Sequence, residues 1–248
     1  MDSQNAFLKT IRRSLGLSPL EERSKSHFPA LFARTDSSSI LQGIEARTTQ
    51  QRDELVEILQ TSAQALGIKT YIVRTHEEAA AVVVDLVRSN DPEFTPTKHI
   101  IHHDHPDLAA LQLWQRFDRE GITVHTTFNS DKQLREKTIA SFIGITAPAI
   151  GVAESATLIQ FTEPGCPRST SLVPSIHIAF LRRDKLVANL REAYALLRER
   201  KLPESFVFIT GPSKTADIEA QMVHGAHGPR AVHLLIFSPS DAEESANE

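Results

Sequence analysis

Ile209-Thr-Gly-Pro-Ser-Lys-Thr-Ala-Asp-Ile-Glu219, continued by Val223-His-Gly-Ala-His-Gly-Pro-Arg230, is the densest run of special residues in the chain. Ahead of it, residues 205–209 alternate β-branched and aromatic side chains like a buried strand, and behind it residues 216–222 contain only good or neutral helix formers. The expectation is a strand that passes through Gly211-Pro212 into a helix. Ser213 and Thr215 are N-cap residue types, and Asp217 and Glu219 place negative charge where the positive end of a helix dipole favours it. In a parallel α/β sheet, ligands bind beyond the carboxyl ends of the strands, where the first N–H groups of the next helix lack partners. Gly211, Ser213, Lys214 and Thr215 are therefore candidate anion-binding residues, with plain turn chemistry as the competing reading. The spacing of a phosphate-binding P-loop is absent. Gly225 ends the expected helix, and Gly228-Pro229 turns the chain into Ala231-Val-His-Leu-Leu-Ile-Phe237, a second buried strand.

Working outward, helix and strand patterns alternate. Residues 2–15 place Phe7, Leu8, Ile11 and Leu15 on one helical face, an amphipathic arm, and residues 16–39 read as an extended linker with Pro19, Pro29 and many Ser. Leu55, Ile58, Leu59, Ala63 and Leu66 then recur at helical spacing, Gly67 stops the helix, and residues 69–73 form a strand. Helices are expected at 75–87, 107–119, 131–140 and 186–200, with strands at 99–102 and 122–126. Residues 141–161 hold short strand segments broken by small residues. This alternation predicts one α/β domain with a central, mostly parallel sheet flanked by helices, preceded by the helical arm. The expected organisation is arm and linker over 1–40, the domain over 41–238, and an acidic disordered tail over 239–248.

The totals exclude several classes. The chain has 248 residues and a net charge of −4, with Lys and Arg scattered rather than clustered, so nothing in the sequence suggests a nucleic-acid surface. No apolar run approaches the roughly 18 residues that span a bilayer, and no secretory signal precedes the arm, so the expected location is cytoplasmic. There is one cysteine, Cys166. It permits no internal disulfide and cannot supply the thiolate set that holds an iron–sulphur cluster.

Two further stretches carry candidate chemistry. Glu154 is flanked by Ala153, Ser155 and Ala156 between β-forming runs, and so is either an idle turn residue or an acid or base pointed into a pocket. Arg168, in a Pro- and Gly-containing loop, suits a bidentate grip on a carboxylate or phosphate. Cys166 in the same loop lacks a neighbouring base, and His177 on an apolar strand is either a core residue or a ligand contact. In His99-Ile-Ile-His-His-Asp-His105, strand alternation scatters the histidines over both faces, so a polar strand end is favoured over a metal site, and no metal is expected.

Gly151-Val-Ala-Glu-Ser-Ala-Thr-Leu158, Ser171-Leu-Val-Pro-Ser-Ile-His-Ile178 and the two opening segments resemble, in order and spacing, the lactate-utilization branch of the LUD-domain family over nearly the whole chain. The family usually has Thr-Gly-Thr where this chain has Ser155-Ala156-Thr157, and Pro-Pro at Pro174-Ser175. The resemblance implies a fold like that of the sugar-phosphate isomerases and CoA transferases. It also implies a role in oxidising L-lactate to pyruvate beside two iron–sulphur partner proteins, as a subunit of a non-flavin lactate dehydrogenase complex with no cofactor on this chain. Within the pocket for a small anionic ligand, Glu154 would be the acid or base, and His227 a second contact. Two alternatives stay open: a stand-alone isomerase- or transferase-like enzyme acting on a sugar phosphate or acyl group, and a non-catalytic assembly subunit that docks through the arm.

Overall fold

The computed structural model describes residues 2–16, 37–128, 132–199, 203, 205–218, 221–224 and 227–239, with backbone alone for 2–3, 215–218 and 221–224. Most of the expected linker and the tail beyond Pro239 lie outside the described residues. Helix α1 (Asp2–Ser14) belongs to a unit that ends at Ser39, and its Phe7, Leu8 and Ile11 are exposed.

The larger unit begins at Ile40. The chain continues through α2 (Ser38–Glu45), α3 (Thr49–Leu66), β1 (Lys69–Val73), α4 (His76–Ser89), β2 (His99–His103), α5 (Pro106–Ala109) and α6 (Leu113–Arg116). Then come β3 (Thr123–Thr127), α7 (Leu134–Ala140), β4 (Ile143–Thr146), β5 (Ile150–Val152), β6 (Thr157–Phe161), α8 (Ser169–Leu172) and β7 (Ile176–Arg182). The last elements are β8 (Leu186–Val187), α9 (Leu190–Glu199), β9 (Phe206–Ile209), β10 (Lys214–Ile218), β11 (Gln221–His224) and β12 (Ala231–Phe237).

Local signals set several of these boundaries. Thr48 and Gln51 cap α3 reciprocally, and Gly67, at φ 79, takes the left-handed conformation that ends it. Thr75 caps α4, with Glu77 and Glu78 in its first turn.

Six strands form a wholly parallel sheet in the order β1-β12-β7-β4-β2-β3. Its two faces carry different cores, because side chains alternate along a strand. On one face Ile143, Ile145, Ile178, Phe180 and Leu235 pack against α4, α5 and α6. Fully burying a side chain such as Phe180 contributes about 1.5–3 kcal/mol. On the other face Ala179, Leu181, Val232, Leu234 and Ile236 meet α3 and a second sheet, which the sequence reading did not anticipate.

That second sheet runs β8-β5-β6-β9 and is mixed, with β6 antiparallel to both β5 and β9. Its Ala153, Ala156 and Leu158 lie on the central sheet, while Ile150, Val152, Ile159 and Phe161 pack against Ala193 and Leu197 of α9. The two sheets touch closely at Gly151, where a Cβ would stand 2.4 Å from Leu181 Cδ2.

Four expectations are corrected. No helix forms among the described residues of 216–222: Lys214 to Ile218 and Gln221 to His224 pair as antiparallel strands. Thr215, Ile218 and Val223 favour strands, and pairing of Lys214 with His224 and of Thr215 with Val223 supplies hydrogen bonds that so short a helix makes only at a nucleation cost. Residues 205–209 are not a buried strand of the parallel sheet, since β9 is a partly exposed edge strand paired with β6. The helix expected over 107–119 is broken at Gln112, at φ 49. A continuous helix would set Leu111 and Leu113 about 200° apart, whereas the break buries both completely. The helix expected from 186 starts at Leu190, because Leu186 and Val187 pair with β5 as β8.

Candidate functional site

Glu154 occupies the turn between β5 and β6, exposed to solvent. Its backbone is held at both ends, the N–H donating to Ala188 O at 3.0 Å and the carbonyl accepting from Ser62 Oγ at 3.1 Å. Ala156 closes the turn at φ 45, the left-handed region that glycine occupies without strain. The turn is then tied sideways: Ser155 Oγ lies 2.8 Å from Thr157 Oγ1, which lies 2.8 Å from Thr210 Oγ1 at the end of β9. Thr157 is buried, so its hydroxyl is satisfied by Ser155 and Thr210 in place of water.

From Thr210 the chain enters the Gly211-Pro212 turn, with Gly211 at φ 92. Ser213 N–H donates to Pro229 O at 2.8 Å, and Ser213 Oγ accepts from the His227 N–H at 3.4 Å. Arg230 N–H donates to Ser175 O at 2.8 Å, immediately before β7. Glu93 stitches this edge, accepting from Ser175 Oγ at 3.2 Å and pairing with Arg230 Nε at 2.8 Å. A continuous hydrogen-bonded rim therefore joins the Glu154 turn, Gly211, Ser213, His227 and Ser175. Glu93 and Thr210 were not singled out from the sequence, where a lone acid and a lone Thr carry no spacing signal.

The rim lies at the amino ends of β7 and β12, which begin at Ile176 and Ala231. This corrects the expected position at the carboxyl edge. It also removes the helix N-terminus on which the anion reading was built, because β10 starts at Lys214. Lys214 Nζ instead donates to Leu66 O at 3.2 Å, a cation at the negative carboxyl end of α3. The Thr215 side chain lies outside the described residues. Arg168 is exposed just before α8, with no described contact to the rim.

His177, on β7, is fully buried, with Nε2 2.8 Å from Thr146 Oγ1 and Nδ1 without a partner among the described residues. Burial first, then the neighbouring His103 and His233, lowers its pKa to about 3, so it is neutral near pH 7. His103 is held at about 4, mainly by burial. Its Nε2 lies 3.2 Å from Pro167 O, a carbonyl that can only accept, so Nε2 carries the proton. His102 turns to the opposite face, with Nδ1 2.8 Å from His103 O and Nε2 3.1 Å from Thr126 Oγ1. His99 stacks on His125 at 5.3 Å between centroids. Among the described residues, no group of three or more His, Cys, Asp or Glu could hold a metal ion. Cys166 is buried, and desolvation with Glu163 and Asp104 pushes its thiol up to about 11, against any nucleophilic role.

The described residues contain no helix long and apolar enough to cross a membrane. A family model described as LUD domain matches residues 56–237. Lactate utilization protein C of Bacillus subtilis (strain 168) is 29% identical over 248 residues, covering 95% of this chain and 97% of that protein. The protein of the same name from Bacillus velezensis is 30% identical over 244 residues, covering 94% and 95% of the two chains. That from Exiguobacterium sp. is 39% identical over 169 residues, covering 64% and 74%. A crystal structure of a DUF162 family protein from Deinococcus radiodurans superposes with a TM-score of 0.53 at 18% identity, over 75% of this chain and 98% of that one. At that identity the likeness concerns the fold.

Proposed function

Because the chain belongs to the LUD-domain family, we propose that it serves lactate utilization as the cluster-free subunit of a system that oxidises L-lactate to pyruvate. The observation that carries this reading is near full-length similarity to proteins named Lactate utilization protein C. Oxidation of lactate to pyruvate releases two electrons and two protons. A single buried cysteine with a raised pKa does not fit an iron–sulphur cluster, so the electrons pass to clusters on partner proteins. In this reading the rim around Glu154, Ser213 and His227 receives the hydroxy acid, with the exposed Glu154 as the proton acceptor for its hydroxyl and Lys214 as the candidate contact for its carboxylate.

The test is lactate-dependent dye reduction by two iron–sulphur partner proteins, with this chain, without it, and with its Glu154→Ala form. Activity that needs the chain and collapses in a folded Glu154→Ala protein supports the reading. Full activity of the partners alone would sink it. A second reading, the assembly subunit, is favoured by the exposed Phe7, Leu8 and Ile11 of α1. It requires activity that tolerates Glu154→Ala but disappears, with loss of association, on removal of residues before Thr49.

A further inference from the structure

The structure assigns a second ligand site, independent of the lactate reading, to a cleft at the opposite, carboxyl edge of the central sheet. We infer that it takes a small hydroxylated anion: a carboxylate or phosphate head on a hydroxyl-bearing skeleton. The cleft has a volume of about 480 Å³ and opens where β1, β12 and β7 end, against α3. Arg74 follows β1, Ser238 follows β12, and Arg183 follows β7; all three line it, facing Asp53, Glu57 and Gln60 of α3. This is the edge at which open α/β sheets hold ligands, and the volume falls in the range of small-molecule pockets.

The charges define the ligand. Arg183 is 4% exposed, and its Nη1 is fixed 2.8 Å from Asp53 Oδ1, so its guanidinium is pre-positioned in the cleft wall. Arg74 anchors only its backbone, the N–H donating to Glu78 Oε2 at 2.7 Å, and no described carboxylate pairs with its guanidinium. An anionic head placed between the two arginines gains charge-assisted hydrogen bonds from both. The opposite wall has the reverse character. Asp53 and Glu57 hold the anionic head on the arginine side and accept hydrogen bonds from hydroxyl groups, and Gln60 and Ser238 add neutral partners. A bare anion uses half of this lining, whereas a hydroxylated one uses all of it. The register supports the arrangement: Val73 pairs with Phe237 and Phe237 with Arg182, so Arg74, Ser238 and Arg183 leave three adjacent strands at one level.

Calorimetric titration of the intact chain tests this with two matched pairs: glycerol 3-phosphate against inorganic phosphate, and glycerate against propionate. At least one hydroxylated member should bind saturably and about tenfold more tightly than its hydroxyl-free counterpart, and the pair that does so identifies the head group. Arg74→Ala, at an exposed position that leaves the thermal midpoint in place, should weaken that binding roughly tenfold, and Arg74→Lys should restore part of it. Amide shifts of Arg74 and Ser238 should move with the same midpoint. No binding by any of the four compounds, equal binding within both pairs, or affinity unchanged by Arg74→Ala would each overturn the assignment.

Discussion

Thr157 Oγ1 and Thr210 Oγ1 lie 2.8 Å apart, joining the turn that carries Glu154 to the turn that carries Gly211 and Ser213. These two segments are 53 residues apart in the chain. Thr157 is buried and Thr210 is exposed, so removing the Thr210 hydroxyl takes from the buried Thr157 its bond to β9, and removing the Thr157 hydroxyl unties the two turns. Thr157→Val and Thr210→Val should each cost about 1 kcal/mol in urea unfolding, and the double variant clearly less than the sum of the two. Strict additivity would mean that the hydroxyls are not coupled.

The buried histidines make the fold sensitive to acid. The folded pKa of His177 is lowered to about 3, and those of His103 and His233 to about 4, from an ordinary value of 6.5. Between those limits the unfolded chain binds protons that the folded chain refuses. Their stabilisation is therefore complete above about pH 6.5 and is lost as the pH falls toward 3. The urea midpoint should drop from pH 7 to pH 5, and His177→Gln, which can still bond Thr146, should flatten that drop. Equal midpoints at the two pH values would contradict this account.

Ala156 bears a methyl group at φ 45, in the left-handed region that favours glycine. Replacing it by Gly relieves about 1–2 kcal/mol of backbone strain but removes a buried methyl group worth about 0.8 kcal/mol and loosens the unfolded chain. Ala156→Gly should therefore leave the thermal midpoint within a few degrees of the parent. Ala156→Val adds a β-branched group at a forbidden φ in a fully buried place, and should lower stability by 2 kcal/mol or more. Equal stability of the two variants would argue against the left-handed turn.

Cys166 should react slowly with a thiol reagent at pH 8 in the folded chain and rapidly in urea, because its thiol is buried with a pKa of about 11. Cys166→Ala should leave lactate-dependent dye reduction intact. Rapid labelling of the folded protein would place the thiol at the surface instead.

Much of the rim was legible as segments. Gly151 to Leu158, Ser171 to Ile178 and the stretch from Ile209 onward stood out because small residues, prolines and lone polar groups interrupt otherwise apolar runs. Their meeting was not legible, since the bonds that assemble them, Thr157 to Thr210, Ser213 to Pro229 and Arg230 to Ser175, cross between segments distant in the chain. The helix expected after Gly211 failed for a related reason. Cap residues and neutral propensities permit a helix there, but pairing of Lys214 with His224 and of Thr215 with Val223 supplies the hydrogen bonds instead.

The amino-acid sequence by itself determined the alternation of helix and strand from Thr49 to Thr127, the buried strands at β7 and β12, and the absence of a cluster-forming thiol set. Period, caps and composition are local quantities. Only the tertiary structure decided that β5, β6, β8 and β9 leave the parallel sheet and form their own. Apolar strands read alike whichever sheet they join, and the choice rests on which distant partner buries Gly151, Ala153 and Ala156 against Ala179 and Leu181. The same tertiary choice moved Ser213 and His227 to the amino edge and left Arg74 and Arg183 facing one cleft at the other.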